Sequence, residues 1–400
     1  MAPYAFHRPV WDRGESIDGE MLAFTTGDDP IWDRRLVEHD IRGSLAHAAG
    51  LARAKLISPA DHAAIERGLQ RLLDGFHGGE WTVEAGDEDV HSAIERRLTE
   101  LAPDAGKTLH TGRSRNEQVA VDVRLWLRDA NARAWELADS VRASLARFAQ
   151  RRGALPLPGY THLRRAMPST VGDWALAHAR AFELDLREIE HAREHLRECP
   201  LGSGAGYGVP LPLEREFVAR ELGFECAEEP VTHVQHARGR AELAHLTALE
   251  AVALDIGKLA GDLWLFSADE FGFVKLPVEF TTGSSLMPHK RNPDAIELMR
   301  AHSRQVVAER AALLDVLRDL PSGYHRDFQL LKPPLFRAHD RVVATLGLLP
   351  RLVDALELDE RALREACSDP KLAATARALE KTKSGVAFRD AYREESRGSS

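Results

Sequence analysis

Apolar residues recur every three or four positions over long stretches of this chain, which is the period of an amphipathic helix. Between Gly112 and Gly153 there is no glycine or proline, and the apolar spacing is interrupted only at Ser144. The apolar positions are Val123, Leu127, Ala130, Ala134, Leu137, Val141 and Phe148. This pattern predicts one very long helix with a seam like that of a coiled coil.

Three further long helices are predicted, over about residues 170–198, 234–267 and 292–319. In the last, Asn292 is a good N-cap and Pro293 suits the first helical position, while the second tolerates internal glycines. Helices of about 30 residues exceed the ordinary globular length and need neighbours along the whole seam. We therefore expect an all-α fold with a long-helix bundle that other subunits complete.

Shorter helices are predicted before the bundle, at residues 33–51, 58–73 and 90–101, and a charged, alanine-rich tail follows it. We accordingly divide the chain into an N-terminal helical domain (1–110), a central long-helix domain with the loop at 281–293 (111–355), and a short C-terminal helical domain (356–400). No strong strand pattern is found, apart from short apolar pieces such as residues 271–276.

Composition and charge exclude several classes of protein. The 400 residues are 44% hydrophobic, and the net charge of −9 comes from intermixed acidic and basic residues, so we expect no nucleic-acid partner. Residues 1–20 do not resemble a signal peptide, and no run approaches the ~20 apolar residues of a membrane span. The three cysteines, Cys199, Cys226 and Cys367, fit neither a disulfide framework nor a zinc site. We expect a cytoplasmic protein that does not bind membranes.

Four polar segments interrupt the helical pattern, and chemistry is expected there. Residues 110–118 lead into the longest helix, where side chains and free N–H groups suit anions such as dicarboxylates. The simpler interpretation is a capped helix entry with solvated arginines. Residues 159–163 contain His162, and a single histidine in such a segment is more often structural than catalytic.

The third segment, residues 281–293, is the most informative. A glycine, two serines and basic residues precede a helix N-terminus, an arrangement that can stabilise an oxyanion or lower the pKa of a hydroxyl. The alternative is an anion-binding turn or a disordered surface loop. The fourth segment, residues 323–332, alone suggests a polar connection, and the glycine-rich stretch at 202–208 is better interpreted as a turn than as a phosphate loop.

Taken in this order, the segments resemble the fumarase/aspartase superfamily and, within it, the argininosuccinate lyase branch. The Gly-Ser-Ser-x-Met-Pro-x-Lys-x-Asn-Pro pattern at 283–293 is typical of the superfamily. The stretches that narrow the resemblance to the branch are residues 33–36, 40–44, 87–91, 110–118 and 160–163, with the spacing of Tyr324, Gln329 and Lys332. The resemblance covers about residues 24–395 and implies a three-domain all-α fold and a homotetramer with composite active sites.

The resemblance also implies residue roles. Ser284 is the base that removes a proton beside a carboxylate, and His162, paired with a carboxylate such as Glu297, is the acid or its relay. Lys290 assists the base and, with Asn292, holds substrate carboxylates. The remaining candidates bind substrate: Ser114, Arg115, Asn116 and Thr161 the fumarate half, Tyr324, Gln329 and Lys332 the arginine half, and Asp29, Asp89, His91 and Ser285 the same pocket.

The implied reaction cleaves argininosuccinate to arginine and fumarate by anti β-elimination, a step of arginine biosynthesis. Loss of a weakly acidic C–H proton leaves a carbanion that needs fixed positive and hydrogen-bonding groups. Serine can act as base only if its loop closes, excludes water and surrounds the oxygen with N–H dipoles. The leaving nitrogen needs a proton from a second group. No metal or organic cofactor is expected.

Departures from the branch leave alternatives open. Residues 237–240 replace a usual Ser-Asp-Arg-Asp stretch, the C-terminal region is short, and unusual residues stand at Glu117, Arg164, Met167, His289, Arg291, His325 and Arg326. A modified argininosuccinate is one alternative substrate. The sequence of residues 287–293 is more similar to that of adenylosuccinate lyase and of carboxymuconate cycloisomerases. A non-catalytic, crystallin-like structural protein is a third alternative. The presence of both Ser284 and His162 argues against it.

Overall fold

The computed structural model describes residue 7 and residues 17–398, and most of these residues are helical. The helices that precede the longest one are α1 (Gly19–Thr26), α2 (Asp29–Asp33), α3 (Val37–Arg53), α4 (Pro59–His77), α5 (Val90–Leu101) and α6 (Pro103–Gly106). Side-chain oxygens cap three of them, because Asp18, Ser58 and Asp89 each accept a backbone N–H three residues later. The helical segments predicted over residues 33–101 are confirmed, with starts and ends shifted by a few residues.

The later helices are α7 (Arg115–Arg152), α8 (Val171–Arg193), α9 (Arg215–Glu221), α10 (His233–His236), α11 (Arg240–Phe266), α12 (Asp294–Leu317), α13 (Lys332–Ala355), α14 (Glu360–Cys367), α15 (Ala374–Lys383) and α16 (Phe388–Gly398). Short 3₁₀ helices lie at Glu194–Leu196, Val278–Phe280, Arg326–Leu331 and Pro370–Ala373. Five helices, α7, α8, α11, α12 and α13, have between 23 and 38 residues. The expectation of a fold dominated by long helices is confirmed.

Two helix starts were predicted too early. The predicted helix at 234–267 is broken at Gly239, whose φ of +83° lies outside the helical region, so that α11 begins at Arg240. A β-carbon on Gly239 would lie 2.3 Å from a methyl carbon of Leu317. Asn292 belongs to a short strand rather than capping a helix, and Pro293 accepts the N–H of Glu297 at 3.1 Å, so that α12 begins at Asp294. In both places the chain must first turn out of a loop.

The helix α13 was not predicted as a long element. Pro333 and Pro334 follow its first residue, where the backbone N–H groups have no partner within the helix, so prolines are tolerated there. Pro350 lies inside the helix. Proline is normally evidence of a helix end in a sequence, and no helix was predicted over this segment.

Eight short strands form four two-stranded pairs in the described residues: β1 (Pro156–Thr161) with β2 (Arg164–Thr170), β3 (Glu198–Cys199) with β4 (Cys226–Ala227), β5 (Val274–Lys275) with β8 (Glu357–Leu358), and β6 (Thr282–Gly283) with β7 (Arg291–Asn292). The pair β3–β4 is parallel and the others are antiparallel. The absence of a strand pattern was a wrong prediction for β1 and β2, because three prolines and a glycine interrupt their apolar alternation. The apolar piece at 271–276 does contain a strand, β5.

The described chain forms two compact units. The first contains the residues up to 132, 189–248 and 308–339, and the second contains 133–188, 249–307 and 340–398. The division into domains at residues 110 and 355 stays a prediction. Within the described ranges, no helix combines the length and apolar composition needed to cross a membrane.

Each unit has a buried core of its own. In the first, Trp126 of α7 packs edge-on against Phe336 of α13, with ring centroids 4.6 Å apart. In the second, α11 approaches α12 so closely that a β-carbon on Gly257 would lie 2.9 Å from the hydroxyl of Ser303. The predicted tolerance of the helix for Gly257 therefore has a packing reason, since a larger residue would push the two helices apart.

Candidate functional site

A cavity in the first unit is lined by residues from several separate parts of the chain. The lining residues are Asp29, Asp89, His91, Arg115, Asn116, Val119, Arg238, Tyr324, Arg326, Phe328, Gln329 and Lys332. Eight of these twelve are substrate-binding candidates from the sequence. The start of α2, the start of α5, the start of α7 and the segment before α13 thus meet at one place.

The 110–118 segment is a capped helix entry, as its simpler interpretation had it, but Arg113 is buried and Arg115 is ion-paired rather than solvated. Ser114 donates its backbone N–H to the carboxylate of Glu117 at 3.0 Å, and its hydroxyl accepts the N–H of Asn116 at 3.2 Å. Ser114 itself is not among the residues that line the cavity, whereas Arg115 and Asn116 in the first turn of α7 are. The same segment therefore caps the helix and contributes to the cavity.

Glu117 connects this helix entry to the glycine-rich stretch. Its carboxylate accepts the N–H of Gly204 at 2.8 Å, and Gly202, Gly204 and Gly206 all have positive φ values. Burial raises the pKa of Glu117 to about 7, against the hydrogen bonds from backbone N–H groups that favour its charged form. The prediction of a turn at residues 202–208 is confirmed.

Lys332 forms a buried ion pair with two carboxylates at the cavity wall. Its ammonium lies 2.5 Å from an oxygen of Asp33 and 3.0 Å from an oxygen of Asp29. Burial raises the pKa of Asp29 to about 7, whereas Lys332 opposes this shift. Although burial opposes it, the two carboxylates raise the pKa of Lys332 above its ordinary value. Asp33 was not among the site candidates, because nothing local to residue 33 indicates a partner 299 positions away.

Replacing Lys332 with methionine is expected to lower the free energy of unfolding by about 3–5 kcal/mol at pH 8, because two buried carboxylates lose their cation. The loss should be smaller at pH 5. Without Lys332 the folded chain keeps a proton on Asp29 that the unfolded chain releases above its ordinary carboxyl pKa, so stability falls as the pH rises. Urea denaturation at fixed protein concentration measures both values.

The matched control is Lys258→Met, which removes an exposed lysine paired with Asp255 at 3.3 Å. That substitution should change the free energy of unfolding by no more than about 0.5 kcal/mol at either pH. Equal losses from the two substitutions would contradict the buried character of the Lys332 pair.

Three guanidinium groups lie at the cavity. Arg115 contacts Asp89 and lies 3.1 Å from an oxygen of Glu88, and Arg326 lies 3.3 Å from the other oxygen of Glu88. The guanidinium of Arg238 stacks over the ring of Phe328 at 5.2 Å. The cavity can therefore offer several fixed N–H donors to an anionic ligand.

Arg238, Arg326, Val119 and Phe328 line the cavity but were missed as site residues. The two arginines had been noticed only as departures from a family pattern, in residues 237–240 and in the 323–332 segment. For Arg326, membership of a segment already marked as polar was the signal that could have identified it, whereas Arg238 lies outside the four polar segments. For Val119 and Phe328, an apolar residue beside a helix start carries no such signal.

In the second unit, His162 lies at the tip of the hairpin formed by β1 and β2. Thr161 pairs with Arg164, so His162 and Leu163 form a two-residue turn, with φ values of +54° and +57°. Left-handed backbone at two consecutive non-glycine residues is uncommon, and such conformations cluster at functional sites. The side chains of Thr161 and His162 are exposed, and within the described part of the chain His162 has no hydrogen-bond partner.

The 281–293 segment is also a hairpin, in which β6 and β7 hold an exposed tip. The hydroxyl of Ser284 accepts the N–H groups of Met287 at 3.0 Å and Leu286 at 3.3 Å. Asn292 donates its side-chain amide to the carbonyl of Gly283 at 3.4 Å. Ser285 and Lys290 are exposed beside Ser284. N–H dipoles aimed at the Ser284 oxygen stabilise negative charge on it, as a serine base requires.

Glu297 lies in the first turns of α12, and its carboxylate accepts the indole N–H of Trp264 at 3.2 Å. The guanidinium of Arg300 covers the same indole ring at 4.4 Å. The pairing of His162 with Glu297 stays a prediction. The candidate residues are thus divided between the units: those for substrate binding lie mainly in the first, and those for proton transfer lie in the second.

Comparisons with known proteins find similar sequences over most of this chain. The lyase family profile matches residues 21–308. An argininosuccinate lyase of Sorangium cellulosum (strain So ce56) is 44% identical over 384 residues, which cover 96% of this chain and 89% of that protein.

Solved structures with low identity show the fold alone. EDDS lyase in complex with formate has a TM-score of 0.82 at 20% identity, covering 96% of this chain and 76% of that chain. A fumarate lyase:delta crystallin from Brucella melitensis in native form has a TM-score of 0.80 at 18% identity, covering 96% of this chain and 89% of that chain. The expected superfamily fold is confirmed.

Proposed function

This chain belongs to the argininosuccinate lyase family, and on that premise we propose that it cleaves argininosuccinate to arginine and fumarate. The observation that carries the proposal is the cavity of the first unit. There Arg115 and Asn116, expected at the fumarate half, lie with Tyr324, Gln329 and Lys332, expected at the arginine half. One cavity therefore holds candidates for both ends of a single molecule.

The charges of the cavity suit the proposed substrate. Argininosuccinate carries three carboxylates and a guanidinium group, and the cavity offers the guanidinium groups of Arg115, Arg238 and Arg326. Charge-assisted hydrogen bonds from arginine to carboxylate are strong and directional. The carboxyl group of Asp29, which lines the same cavity, suits a cationic group of the arginine half.

Proton transfer is assigned to the second unit. Ser284 removes the proton beside the succinyl carboxylate, while the N–H groups of Met287 and Leu286, with Lys290, stabilise the developing charge. His162, at the tip of its hairpin, supplies or relays the proton to the leaving nitrogen, with Glu297 as its carboxylate. Thr161, Ser285 and Asn292 bind substrate beside them. Each of these groups comes from this chain, and no cofactor is assigned a step.

A homotetramer with composite sites is part of the proposal. The 38 residues of α7 give a helix about 57 Å long, with the 110–118 segment at its start and the 159–163 segment after its end. A long rigid helix between two segments favours a site in which each segment comes from a different subunit. Exposed apolar residues on the long helices, among them Leu176, Leu254 and Leu298, support helix packing between subunits.

Incubation of the purified protein with argininosuccinate should release fumarate, followed by its ultraviolet absorbance. Adenylosuccinate is the second candidate substrate, because the sequence of residues 287–293 resembles that of the loop of adenylosuccinate lyase. We expect fumarate from argininosuccinate only. Equal or faster turnover of adenylosuccinate would overturn the assigned substrate, and no turnover of either would favour a crystallin-like structural protein or a modified argininosuccinate.

A further inference from the structure

Three buried titratable side chains lie together at the cavity wall of the first unit. Asp40 belongs to α3, His91 to α5 and Asp122 to α7, and each is less than a tenth exposed. Nδ1 of the His91 ring is hydrogen-bonded to Asp40 and lies 3.6 Å from an oxygen of Asp122. The same ring lines the cavity. His91 therefore contacts carboxyl groups through Nδ1 and also forms part of the cavity wall.

Asp40 is itself held by a chain of hydrogen bonds. The hydroxyl of Ser44, one turn later in α3, donates to the second oxygen of Asp40 at 3.2 Å. The guanidinium of Arg113 donates to the Ser44 hydroxyl at 2.9 Å. One carboxylate oxygen thus contacts His91 and the other is fixed from behind. The other titratable groups that act on this cluster from neighbouring elements are Asp33, Glu95 and His110.

Burial and close approach distribute the protons among the three groups. Although burial opposes it, the carboxylates of Asp40 and Asp122 raise the pKa of His91. Burial, followed by the negative charge of Asp40, raises the pKa of Asp122 well above its ordinary value. Burial also opposes ionisation of Asp40, but His91 and Arg113 lower its pKa overall. These shifts favour an Asp40 carboxylate, a His91 cation and an Asp122 carboxylic acid.

We propose that Asp40 and Asp122 are positioning residues that keep His91 a cationic N–H donor, whose Nε2 binds a carboxylate of the substrate in the cavity. The assignment rests on the proposed function, which supplies a substrate with carboxylates. A neutral imidazole that donates Nδ1–H to Asp40 has only an acceptor at Nε2, and that lone pair repels a carboxylate. The cation donates from both nitrogens. Within the described residues, Nε2 of His91 has no protein hydrogen-bond partner.

The discriminating experiment is the pH profile of Asp40→Asn. In the wild-type protein His91 stays protonated, so its contribution to substrate binding is present from pH 6 to pH 8. In the variant, His91 loses the carboxylate that is hydrogen-bonded to its Nδ1, so burial lowers its pKa with only the more distant Asp122 to oppose it. The contribution then disappears as the pH rises through that lower value. We expect kcat/KM to fall about 10- to 100-fold at pH 8, mostly through KM, and to recover towards pH 6.

Asp185→Asn is the matched control, because it makes the same substitution at a buried aspartate of α8 outside the cavity. Its pH profile should follow that of the wild-type protein. Asp40→Glu should restore part of the loss at pH 8, because it returns the negative charge. An equal loss for Asp40→Asn at pH 6 and pH 8, or no loss, would overturn the proposal. A larger loss from Asp122→Asn than from Asp40→Asn at pH 8 would overturn the choice of Asp40 as the charged partner.

The ionisation of His91 can also be measured without turnover or folding of the Asp40 variant. The ¹⁵N resonances of the His91 imidazole can be identified because they are absent from the spectrum of His91→Gln. In the wild-type protein these resonances should show that both ring nitrogens are protonated at pH 8. A neutral His91 at pH 8 would overturn the proposal whatever the enzyme cleaves. If His91 is cationic and wild-type protein releases no fumarate from argininosuccinate, the proposed function fails while the ionisation of the three groups stands.

Discussion

Replacing Ser284 with alanine is expected to lower turnover by several orders of magnitude and to leave the fold unchanged. Among the residues that the structure describes, the hydroxyl contacts only N–H groups of its own hairpin tip, so little folding energy depends on it. Loss of a base that acts in the transition state lowers kcat and leaves substrate binding largely unchanged. Fumarate release at saturating argininosuccinate measures the change, and KM should remain within a few-fold of the wild-type value.

Ser384→Ala provides a matched control for this substitution. Ser384 follows α15 and donates its hydroxyl to the carbonyl of Lys381 at 2.9 Å. The substitution therefore removes a similar local hydrogen bond, at a position outside all four polar segments. Its turnover should equal that of the wild-type protein. A Ser284→Ala protein that keeps activity within tenfold of wild type would remove Ser284 from the mechanism.

Activity is expected to reappear when two inactive proteins, His162→Asn and Ser284→Ala, are unfolded, mixed equally and refolded. If each site takes its histidine and its serine from different subunits, random assembly gives about a quarter of the sites both intact groups. Each parent refolded alone should stay inactive. Fumarate release per assembled subunit, with the assembly checked by size, gives the recovered fraction.

A mixture of Ser284→Ala with Lys290→Met is the control for this experiment. Both residues belong to one hairpin, so each site takes them from the same chain and every site keeps one defect. No activity should return from that mixture. If the His162 and Ser284 variants form proper tetramers together yet remain as inactive as the parents, both residues come from one chain and the composite site is wrong.

Much of the helical fold could be predicted from the sequence because its causes are local. The apolar spacing from Val123 to Phe148 and the lack of glycine or proline predicted α7, which the structure has over Arg115–Arg152. Most of the cavity candidates were also predicted, though from a resemblance carried by short polar segments rather than from periodicity. Their chemistry depends on residue identity, which a sequence displays directly.

Local patterns failed where proline or backbone geometry conceals an element. The hairpin that presents His162 contains Pro156, Pro158 and Pro168, and prolines in a segment argue against a strand. Likewise, α13 carries prolines that suggest a helix end. In both cases pairing or packing with the rest of the chain outweighs a local preference, and a single segment does not show its partners.

Only the tertiary structure decided which polar residues meet. Lys332 looked like a substrate contact in sequence, and its ammonium is held between Asp29 and Asp33, about 300 positions earlier in the chain. Asp40, His91 and Asp122 lie on three helices, and no spacing along the chain indicates that they share protons. The sequence by itself determined the long helices and the candidate chemistry, because periodicity and residue type are local. Charge pairing and pKa shifts follow from distances and burial, which exist only once the chain is folded.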